Sequence, residues 1–458
     1  MFDLIIIGGG PAGYLAAERA GHGGLKTLLI EKRFIGGVCL NEGCVPSKAL
    51  LHSAKILDYA KHGESYGVTT TGAAIDQKAV IARKNKVVRN LVAGIKGQLK
   101  ASHVTVKEGF AEILGRDQGI VKVKVGEEVF EAQKLIIASG SEAIVPPIPG
   151  AKEGLEQGYI LTNREILNLE VIPKAMVIVG GGVIGLEMAS YFNSVGSKVT
   201  VIEMLDKIAG PTDREISSIL QKNYEKKGIT FKLGCKVTGL PKGAVEFEES
   251  AQNGAGTKHS VEADYVLLSI GRRPVTAGLG LEKLGVLVER GHIVVDDIGQ
   301  TNVPGVYAAG DVNGNWMLAH VAYREAEVVI NNLLGKRDVM RYNAVPSVIY
   351  TNPEVGCVGE TEESAKAKGM ACKVASISMN YSGRYMAENA NGDGICKVVV
   401  DPVRNRMIGC HIIGNSASEI IVAAAMLIET EMKIEDIKEF IFPHPTVCEI
   451  IREAIFQL

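Results

Sequence analysis

Two stretches of the sequence share one pattern and decide the fold. Residues 4–13 read Leu-Ile-Ile-Ile-Gly-Gly-Gly-Pro-Ala-Gly, and residues 176–185 read Met-Val-Ile-Val-Gly-Gly-Gly-Val-Ile-Gly. A second apolar stretch follows each of them, at 27–30 and 198–202, and ends at an acid, Glu31 or Glu203. The first glycine and the acid are 23 residues apart in both copies. This pattern predicts two βαβ units of the kind that bind dinucleotides.

The three spaced glycines of each motif have different physical roles. The first makes a tight turn, the second lets a pyrophosphate approach the backbone, and the third lets the helix pack closely on the strand. They are Gly8, Gly10 and Gly13 in the first copy and Gly180, Gly182 and Gly185 in the second. Such a turn can also do no more than join a strand to a helix. Two copies in matching context, each with its acid, favour nucleotide binding.

The second acid indicates which pyridine nucleotide is preferred. The carboxylate of Glu203 can accept hydrogen bonds from the adenosine ribose hydroxyls, whereas it repels a 2′-phosphate. The residues after it are Met204-Leu205-Asp206-Lys207, with one lysine and no arginine. The sequence therefore favours NAD over NADP.

Composition restricts the classes of partner. The chain has 458 residues, a formal net charge of -2 and acids and bases interspersed along its length, so we expect small-molecule or protein partners rather than nucleic acid or membranes. No stretch approaches the roughly 20 apolar residues of a membrane span. The N-terminal strand lacks a basic leader and a cleavage site, and we expect a cytoplasmic protein.

The length predicts several domains in an α/β fold. We expect two Rossmann-like (three-layer ββα) dinucleotide-binding domains, at 1–150 and 151–275, and a return of the chain to the first of them at 276–341. Within the first domain the pattern predicts a long helix at 78–98 and strands at 104–110, 120–125, 128–130 and 135–141. Strands at 347–350, 395–400 and 407–413, with helical segments around 416–430, predict an α+β domain over 342–458, which we expect to be the interface and dimerisation domain.

Two of the 8 cysteines lie close together. Residues 36–48 read Gly-Gly-Val-Cys-Leu-Asn-Glu-Gly-Cys-Val-Pro-Ser-Lys, which places Cys39 and Cys44 five positions apart. In a regular helix that spacing separates the Cα atoms by about 8 Å, whereas a disulfide needs roughly 4.4–6.8 Å, so the segment must depart from a regular helix. Two buried cysteines or half of a zinc site are the alternatives. A redox pair is favoured, and no metal site is expected.

The C-terminal run His444-Pro445-Thr446-Val447-Cys448-Glu449 has two interpretations. The spacing of Thr446 and Glu449 is that of a helix capping box, in which the glutamate satisfies backbone N–H groups. Glu449 can also orient the imidazole of His444, as a carboxylate does for a catalytic base.

Together, the two glycine motifs, residues 37–48, Ala309-Gly310-Asp311 and the C-terminal run resemble the pyridine nucleotide-disulfide oxidoreductase family. The resemblance covers nearly the whole chain. It implies FAD binding by Gly8, Gly10, Gly13, Glu31, Lys48, Gly109, Ser139, Gly140, Gly310, Asp311 and Ala319. It implies NAD binding by Gly180, Gly182, Gly185, Glu187, Glu203, Val237 and Gly271, and a catalytic set of Cys39, Cys44, His444 and Glu449. Lys48 and Glu187 would pair beside the flavin.

The cysteine segment is similar to that of members acting on dihydrolipoyl groups rather than on glutathione. The resemblance implies oxidation of protein-bound dihydrolipoyl groups with reduction of NAD, in a homodimer whose His444 reaches the disulfide of the other subunit. The protein partners would be lipoyl domains of 2-oxoacid dehydrogenase or glycine cleavage complexes. Cys448 and Ser139 depart from the family's usual residues. A related reductase of glutathione, mercuric ion or a coenzyme thiol, and a non-enzymatic redox sensor, are the alternatives.

Overall fold

The computed structural model describes residues 1–250, 256–390 and 392–458. The chain forms two compact units. Unit 1 comprises Met1–Ala49, Ala82–Ile144 and Gly271–Arg341, and unit 2 comprises Leu50–Ile81, Val145–Ile270 and Tyr342–Leu458. Among the described residues, none of the helices is both long enough and apolar enough to cross a membrane.

Helices and strands alternate around the two glycine motifs, whereas residues 105–143 and the described part of 230–308 form successive strands without an intervening α-helix. The helices are α1 (Pro11–His22), α2 (Gly37–Glu42), α3 (Cys44–Lys61), α4 (Gln77–Ala101), α5 (Ala151–Gln157), α6 (Asn163–Ile166), α7 (Val183–Val195), α8 (Arg214–Lys226), α9 (Ala319–Leu333), α10 (Glu362–Ala367), α11 (Gly383–Glu388), α12 (Ala417–Glu429), α13 (Ile434–Lys438) and α14 (Glu449–Ile455). The strands are β1 (Phe2–Ile7), β2 (Thr27–Glu31), β3 (Thr105–Glu108), β4 (Ala111–Asp117), β5 (Ile120–Val125), β6 (Glu128–Ile137), β7 (Ser141–Ala143), β8 (Ile160–Leu161), β9 (Ala175–Val179), β10 (Lys198–Ile202), β11 (Thr230–Lys232), β12 (Cys235–Gly239), β13 (Ala244–Glu249), β14 (Thr257–Glu262), β15 (Tyr265–Leu268), β16 (Arg272–Pro274), β17 (Val288–Glu289), β18 (His292–Ile293), β19 (Val306–Ala308), β20 (Pro346–Ile349), β21 (Val355–Gly359), β22 (Lys373–Ser378), β23 (Ile395–Asp401) and β24 (Arg406–Ile413).

The main sheet of unit 1 has the order β3-β2-β1-β6-β5-β4, and β19 also pairs with β6. The pairs β1–β2, β1–β6, β2–β3 and β6–β19 are parallel. Residues 4–7 of β1 are buried, and alternate residues enter two different hydrophobic clusters, one on each face of the sheet. Both faces are covered, which is why this strand is a continuous apolar run.

Unit 2 contains a parallel sheet of order β11-β10-β9-β15-β8 that repeats this arrangement. Met176 and Ile178 of β9 lie in one hydrophobic cluster, and Val177 and Val179 lie in another. The internal repeat of the sequence is therefore a repeat of structure.

The second large sheet of unit 2 is antiparallel, with the order β20-β21-β24-β23-β22. Cys396, Val398 and Val400 point from β23 into a core with α12 and α14. The residue between the first two, Lys397, lies on the opposite face and pairs in register with His411 of β24. Both of these polar residues are buried.

Most predicted elements are confirmed with small shifts at their ends, and α4 is the long helix expected near 78–98. The prediction of separate strands at 128–130 and 135–141 is wrong. Residues 128–137 form the single strand β6, and a short strand follows at 141–143. The polar residues 133–134, which interrupt the apolar pattern, lie at or near its surface. The unpredicted strand β4 buries only Ala111 and Ile113 and so has a weak apolar signal. The finer division into four segments stays a prediction.

Buried His411 makes stability depend on pH. Its Nε2 lies 2.8 Å from the Glu360 carbonyl oxygen, and burial lowers its pKa from the ordinary value. The unfolded chain therefore binds the proton more readily. This contribution to stability is complete above the ordinary histidine pKa of about 6.5 and is lost as the pH falls toward the lowered value.

We expect His411→Gln to reduce the pH dependence of unfolding between pH 7 and pH 5. A single proton contributes at most about 1.4 kcal/mol per pH unit. The free energy of unfolding from urea titrations measures the slope, with exposed His52→Gln as the control. Equal slopes in wild type and His411→Gln would show that this histidine does not titrate on unfolding.

Candidate functional site: two nucleotide turns and a dithiol

The first glycine turn lies between β1 and α1. Gly8 has φ +106°, and a Cβ there would be 2.1 Å from the Ala138 carbonyl oxygen. A Cβ on Gly13 would be 1.7 Å from the carbonyl oxygen of Gly8, so only glycine lets α1 approach the strand this closely. At Gly10 a Cβ would meet, among the described atoms, only the Cα of Gly37, at 3.8 Å, so this position is less crowded than Gly8 and Gly13.

The second turn, between β9 and α7, has the same geometry. Gly180 has φ +104°, and a Cβ there would be 2.5 Å from the Ser269 carbonyl oxygen. A Cβ on Gly185 would be 2.2 Å from the Gly180 carbonyl oxygen, whereas one on Gly182 would meet no heavy atom of the described chain within 4 Å. In both turns, space is left where a pyrophosphate can approach a helix N-terminus.

Each predicted acid lies beside its own glycine turn. The two carboxylate oxygens of Glu31 accept hydrogen bonds from the N–H groups of Gly9 and Arg33, both at 2.6 Å. Glu203 accepts from Gly181 at 2.6 Å and from Leu205 at 2.9 Å. Since a carboxylate has about four lone-pair positions, each can still accept ribose hydroxyls.

Most of the remaining predicted FAD residues lie at or near the ends of unit 1 strands. Gly109 follows β3 and donates its N–H to the Glu31 carbonyl oxygen at 2.8 Å, and Gly310 and Asp311 follow β19. Ser139 and Gly140 lie between β6 and β7, and Ala319 is the first residue of α9. The Ser139 hydroxyl donates to the Val275 carbonyl oxygen at 2.6 Å.

Sequence reasoning missed the residues that hold Asp311. Ser141 donates from its hydroxyl to Asp311 at 2.5 Å and accepts from Nε of Arg272 at 2.8 Å. Glu325, which is buried, accepts the N–H of Gly310 at 2.6 Å. These contacts join distant parts of the chain, so no local sequence signal reveals them.

The helix is interrupted within the cysteine segment, as the spacing of Cys39 and Cys44 requires. Helix α2 ends at Glu42, Gly43 has φ -153° and ψ -109°, and α3 begins at Cys44. Asn41 donates to the carbonyl oxygens of Ile35 and Gly37 at 3.1 and 2.9 Å, which fixes the loop.

The structure places the side chains of Cys39 and Cys44 next to each other. Cys39 and Cys44 are hydrogen-bonded through their side chains, and this contact raises the pKa of Cys39 most, followed by burial. The charge of Lys48 acts in the opposite direction. Cys44 is the more exposed of the two. The fold therefore brings the two sulfurs into contact, as exchange between dithiol and disulfide requires.

Two tyrosines lie beside this pair and were not predicted. The hydroxyls of Tyr14 and Tyr323 are 2.5 Å apart, and the rings meet edge to face. Burial raises the pKa of each tyrosine, and the charges of Cys39 and Cys44 raise both further. Their separation of 309 residues explains why sequence patterns do not reveal them.

In unit 2, Glu449 contacts His444 directly. Its Oε1 lies 2.8 Å from the imidazole Nδ1, and its Oε2 accepts the N–H of Thr446 at 2.8 Å. The Thr446 contact is the largest cause of the lowered pKa of Glu449. The His444 side chain is 77% exposed, so Nε2 is accessible.

The capping box is formed only in part. Helix α14 begins at Glu449 with Cys448 as its N-cap. Thr446 instead donates its hydroxyl to the Pro443 carbonyl oxygen at 2.9 Å. Glu449 therefore fixes the loop before the helix and the imidazole at once.

The predicted cofactor residues not yet described lie in or next to helices and strands. Lys48 is half-buried in α3, and Glu187 is buried in α7 and accepts the N–H of Tyr350 at 3.1 Å. Val237 is buried in β12, and Gly271, with φ +124°, precedes β16. Within 1–250, 256–390 and 392–458, no group of three or more His, Cys, Asp or Glu side chains could hold a metal ion.

Two dinucleotide turns and a dithiol beside the first of them define a nucleotide-dependent dithiol–disulfide oxidoreductase. Family models agree: residues 2–326 match the pyridine nucleotide-disulphide oxidoreductase model, and residues 345–455 match that family's dimerisation domain. The chain belongs to the pyridine nucleotide-disulphide oxidoreductase family. It is an oxidoreductase of a family of FAD- and NAD-dependent flavoproteins, so the expected cofactors are confirmed.

Similar proteins cover the whole chain. A mitochondrial dihydrolipoyl dehydrogenase of Pisum sativum is 40% identical over 99% of this chain and 90% of its own length. A dihydrolipoyl dehydrogenase of Chlamydia muridarum is 39% identical over 99% of this chain and 96% of its own. Among solved structures, the HOCl-induced flavoprotein disulfide reductase RclA from Escherichia coli has a TM-score of 0.85 at 27% identity, covering 99% of both chains.

We expect Gly182→Ala and Gly185→Ala to separate nucleotide binding from folding. The added methyl at Gly182 fits the free protein but occupies the side where the pyrophosphate approaches, so NAD affinity falls about tenfold or more with stability unchanged. The same methyl at Gly185 collides with backbone and costs about 1–3 kcal/mol or more of stability. Isothermal titration with NAD and thermal unfolding measure the two effects. Unaltered NAD affinity in Gly182→Ala would contradict the assignment of this turn.

Proposed function

We propose that this chain oxidises dihydrolipoyl groups to lipoyl with reduction of NAD, through a disulfide that Cys39 and Cys44 form and open. The observation that carries the proposal is the contact between the two thiols in a segment packed on the first glycine turn. A Cβ on Gly37, two residues before Cys39, would be 2.5 Å from the Cα of Gly10. The dihydrolipoyl dehydrogenases to which the chain is similar over its whole length support the choice of substrate.

The first glycine turn fits FAD by its shape and chemistry. Gly10 carries no side chain that would keep a pyrophosphate from the backbone, and Glu31 presents carboxylate oxygens for ribose hydroxyls. Asp311, held by Ser141, supplies a further acceptor at the carboxyl edge of the same sheet. We assign NAD to the second turn, where Glu203 disfavours a 2′-phosphate.

The reaction begins with proton removal. Nε2 of His444 accepts a proton from one thiol of the dihydrolipoyl group, while Glu449 holds Nδ1 and stabilises the imidazolium. The substrate thiolate attacks the Cys39 sulfur of the disulfide and Cys44 leaves as a thiolate. The second substrate sulfur then displaces Cys39, which closes the lipoyl disulfide and leaves two reduced cysteines.

The cysteine pair must then lose two electrons to regenerate the disulfide. FAD, when bound, accepts these electrons and delivers a hydride to NAD. The cation of Lys48 opposes the rise in the pKa of Cys39 and so favours thiolate in the pair. We assign Cys39 to the exchange with substrate and Cys44 to the side of the flavin.

We further propose a homodimer in which His444 of one subunit serves the cysteine pair of its partner. The region matched by the dimerisation model exposes apolar side chains: Val422 at 54%, Met426 at 63%, Phe440 at 45% and Ile441 at 98%. Apolar surface of this kind is typical of a protein interface. The lipoyl domains of 2-oxoacid dehydrogenase or glycine cleavage complexes are the proposed substrates, and the cytoplasmic location stays a prediction.

We expect Cys44→Ser to abolish dihydrolipoamide-dependent NADH formation while the protein still binds FAD. A serine hydroxyl cannot form the disulfide that carries the electrons. The assay is NADH absorbance, with half-buried Cys372→Ser as a control that stays fully active. Full lipoyl activity in Cys44→Ser would exclude the dithiol mechanism. If the wild-type enzyme reduced glutathione disulfide with NADH faster than it reduced lipoamide, glutathione disulfide would replace the lipoyl group as the assigned substrate.

We expect Glu449→Gln to lower kcat about 100-fold with little change in stability. The glutamine oxygen can still accept the Thr446 N–H, but the charge that stabilises the imidazolium is gone. Steady-state rates over a pH series and thermal unfolding measure the two properties, and His444→Gln gives the reference loss. Wild-type kcat in Glu449→Gln would limit this residue to a role in the loop.

A further inference from the structure

A buried lysine in unit 2 contacts three carboxylates. The side chain of Lys397, on β23, is 6% exposed, and its Nζ lies 2.9 Å from Asp213, 3.4 Å from Glu215 and 3.5 Å from Glu362. A charge taken out of water in this way is tolerated only with charged partners. Asp213 is the nearest and is itself fully buried.

Asp213 holds two groups at once. Its Oδ1 caps α8 by accepting the N–H groups of Glu215 and Ile216 at 3.0 and 3.3 Å. Its Oδ2 faces Lys397. The carboxylate therefore fixes the start of α8 to a strand of the antiparallel sheet.

Residues 203–213, which we call the strap, join this anchor to the second nucleotide turn. Glu203 begins the strap at the end of β10, and Asp213 ends it. In its middle, the buried Ala209 donates its N–H to the Gly181 carbonyl oxygen at 2.8 Å. Thr212 in turn donates its N–H to the carbonyl oxygen of Ala209 at 3.1 Å.

The start and the middle of the strap thus act on the same turn. Gly181 donates its N–H to Glu203 and accepts the N–H of Ala209, so both of its backbone polar groups are held by the strap. A shift of Asp213 would be transmitted through Thr212 and Ala209 to this glycine.

We propose that Lys397 is a positioning residue for the pyridine nucleotide. Through Asp213, Lys397 fixes the strap and so holds the second glycine turn and Glu203 in the geometry that binds NAD. The inference rests on the proposed assignment of NAD to this turn. It gives the antiparallel sheet, otherwise assigned to dimerisation, a direct part in cofactor affinity. Lys397 touches neither cofactor nor substrate in this role.

Replacing Lys397 by methionine removes the charge and keeps most of the side-chain volume. Asp213 is then a buried carboxylate without its nearest cation, and the strap must move to hydrate it. Misplacement of the turn weakens NAD binding, whereas the cysteine pair and His444 are unaffected. The loss should therefore appear in KM and affinity for NAD rather than in kcat or in KM for dihydrolipoamide.

The test uses the FAD-loaded enzyme. We expect Lys397→Met to raise the Kd for NAD, measured by isothermal titration, about tenfold. We expect kcat at saturating NAD to stay within about twofold. The matched control is Lys373→Met, which removes an exposed charge from the neighbouring strand β22 and should leave the NAD affinity unchanged. Lys397→Arg should restore most of the affinity.

Asp213→Asn provides a second test that does not depend on the folding of Lys397→Met. Its amide oxygen can still cap α8, while the ion pair is lost, so NAD affinity should fall with the helix retained. Unchanged Kd for NAD in a folded Lys397→Met or in Asp213→Asn would overturn the inference. Failure of the wild-type enzyme to bind NAD, or full lipoyl activity in Cys44→Ser, would instead refute the proposed function.

Discussion

The contact between Gly37 and Gly10 is the constraint on which the site depends. It sets the cysteine segment against the turn that we assign to FAD, at a separation that no side chain at Gly37 would permit. The break at Gly43 then turns Cys44 back toward Cys39. The proposed electron transfer to FAD needs the cysteines close to this turn, and backbone contact between glycines holds them there more rigidly than flexible side chains would.

The same strand–glycine turn–helix unit occurs twice in the fold, and the two units differ in the residues that surround them. Each turn has a first glycine at positive φ, a second glycine where an added Cβ would have no close contact with the described chain, and a third glycine packed on the carbonyl oxygen of the first. Beside the first turn lies a dithiol, with two hydrogen-bonded tyrosines near it. Beside the second lies a strap that ends in a buried ion pair. Two similar sheets can thus serve the two different cofactors that we assign to them, because different residues surround each turn.

Two carboxylates of this protein each hold a backbone group and a second side chain in place. Glu449 joins a backbone N–H to an imidazole, and Asp213 joins a helix start to Lys397. In each case one carboxylate oxygen serves the backbone and the other serves a functional cation or base. This sharing explains why isosteric amide substitutions, which keep the backbone contact, separate electrostatic from structural roles.

The sequence by itself determined the features that depend on neighbouring residues. The glycine spacing, the acids at the strand ends, the departure from helix between Cys39 and Cys44, and the proximity of His444 to Glu449 all follow from short-range backbone geometry. Only the tertiary structure decided the contacts of Ser141 with Asp311 and of Lys397 with Asp213. Those contacts join residues far apart in the chain, and burial selects them when sheets and helices pack, so no local pattern encodes them.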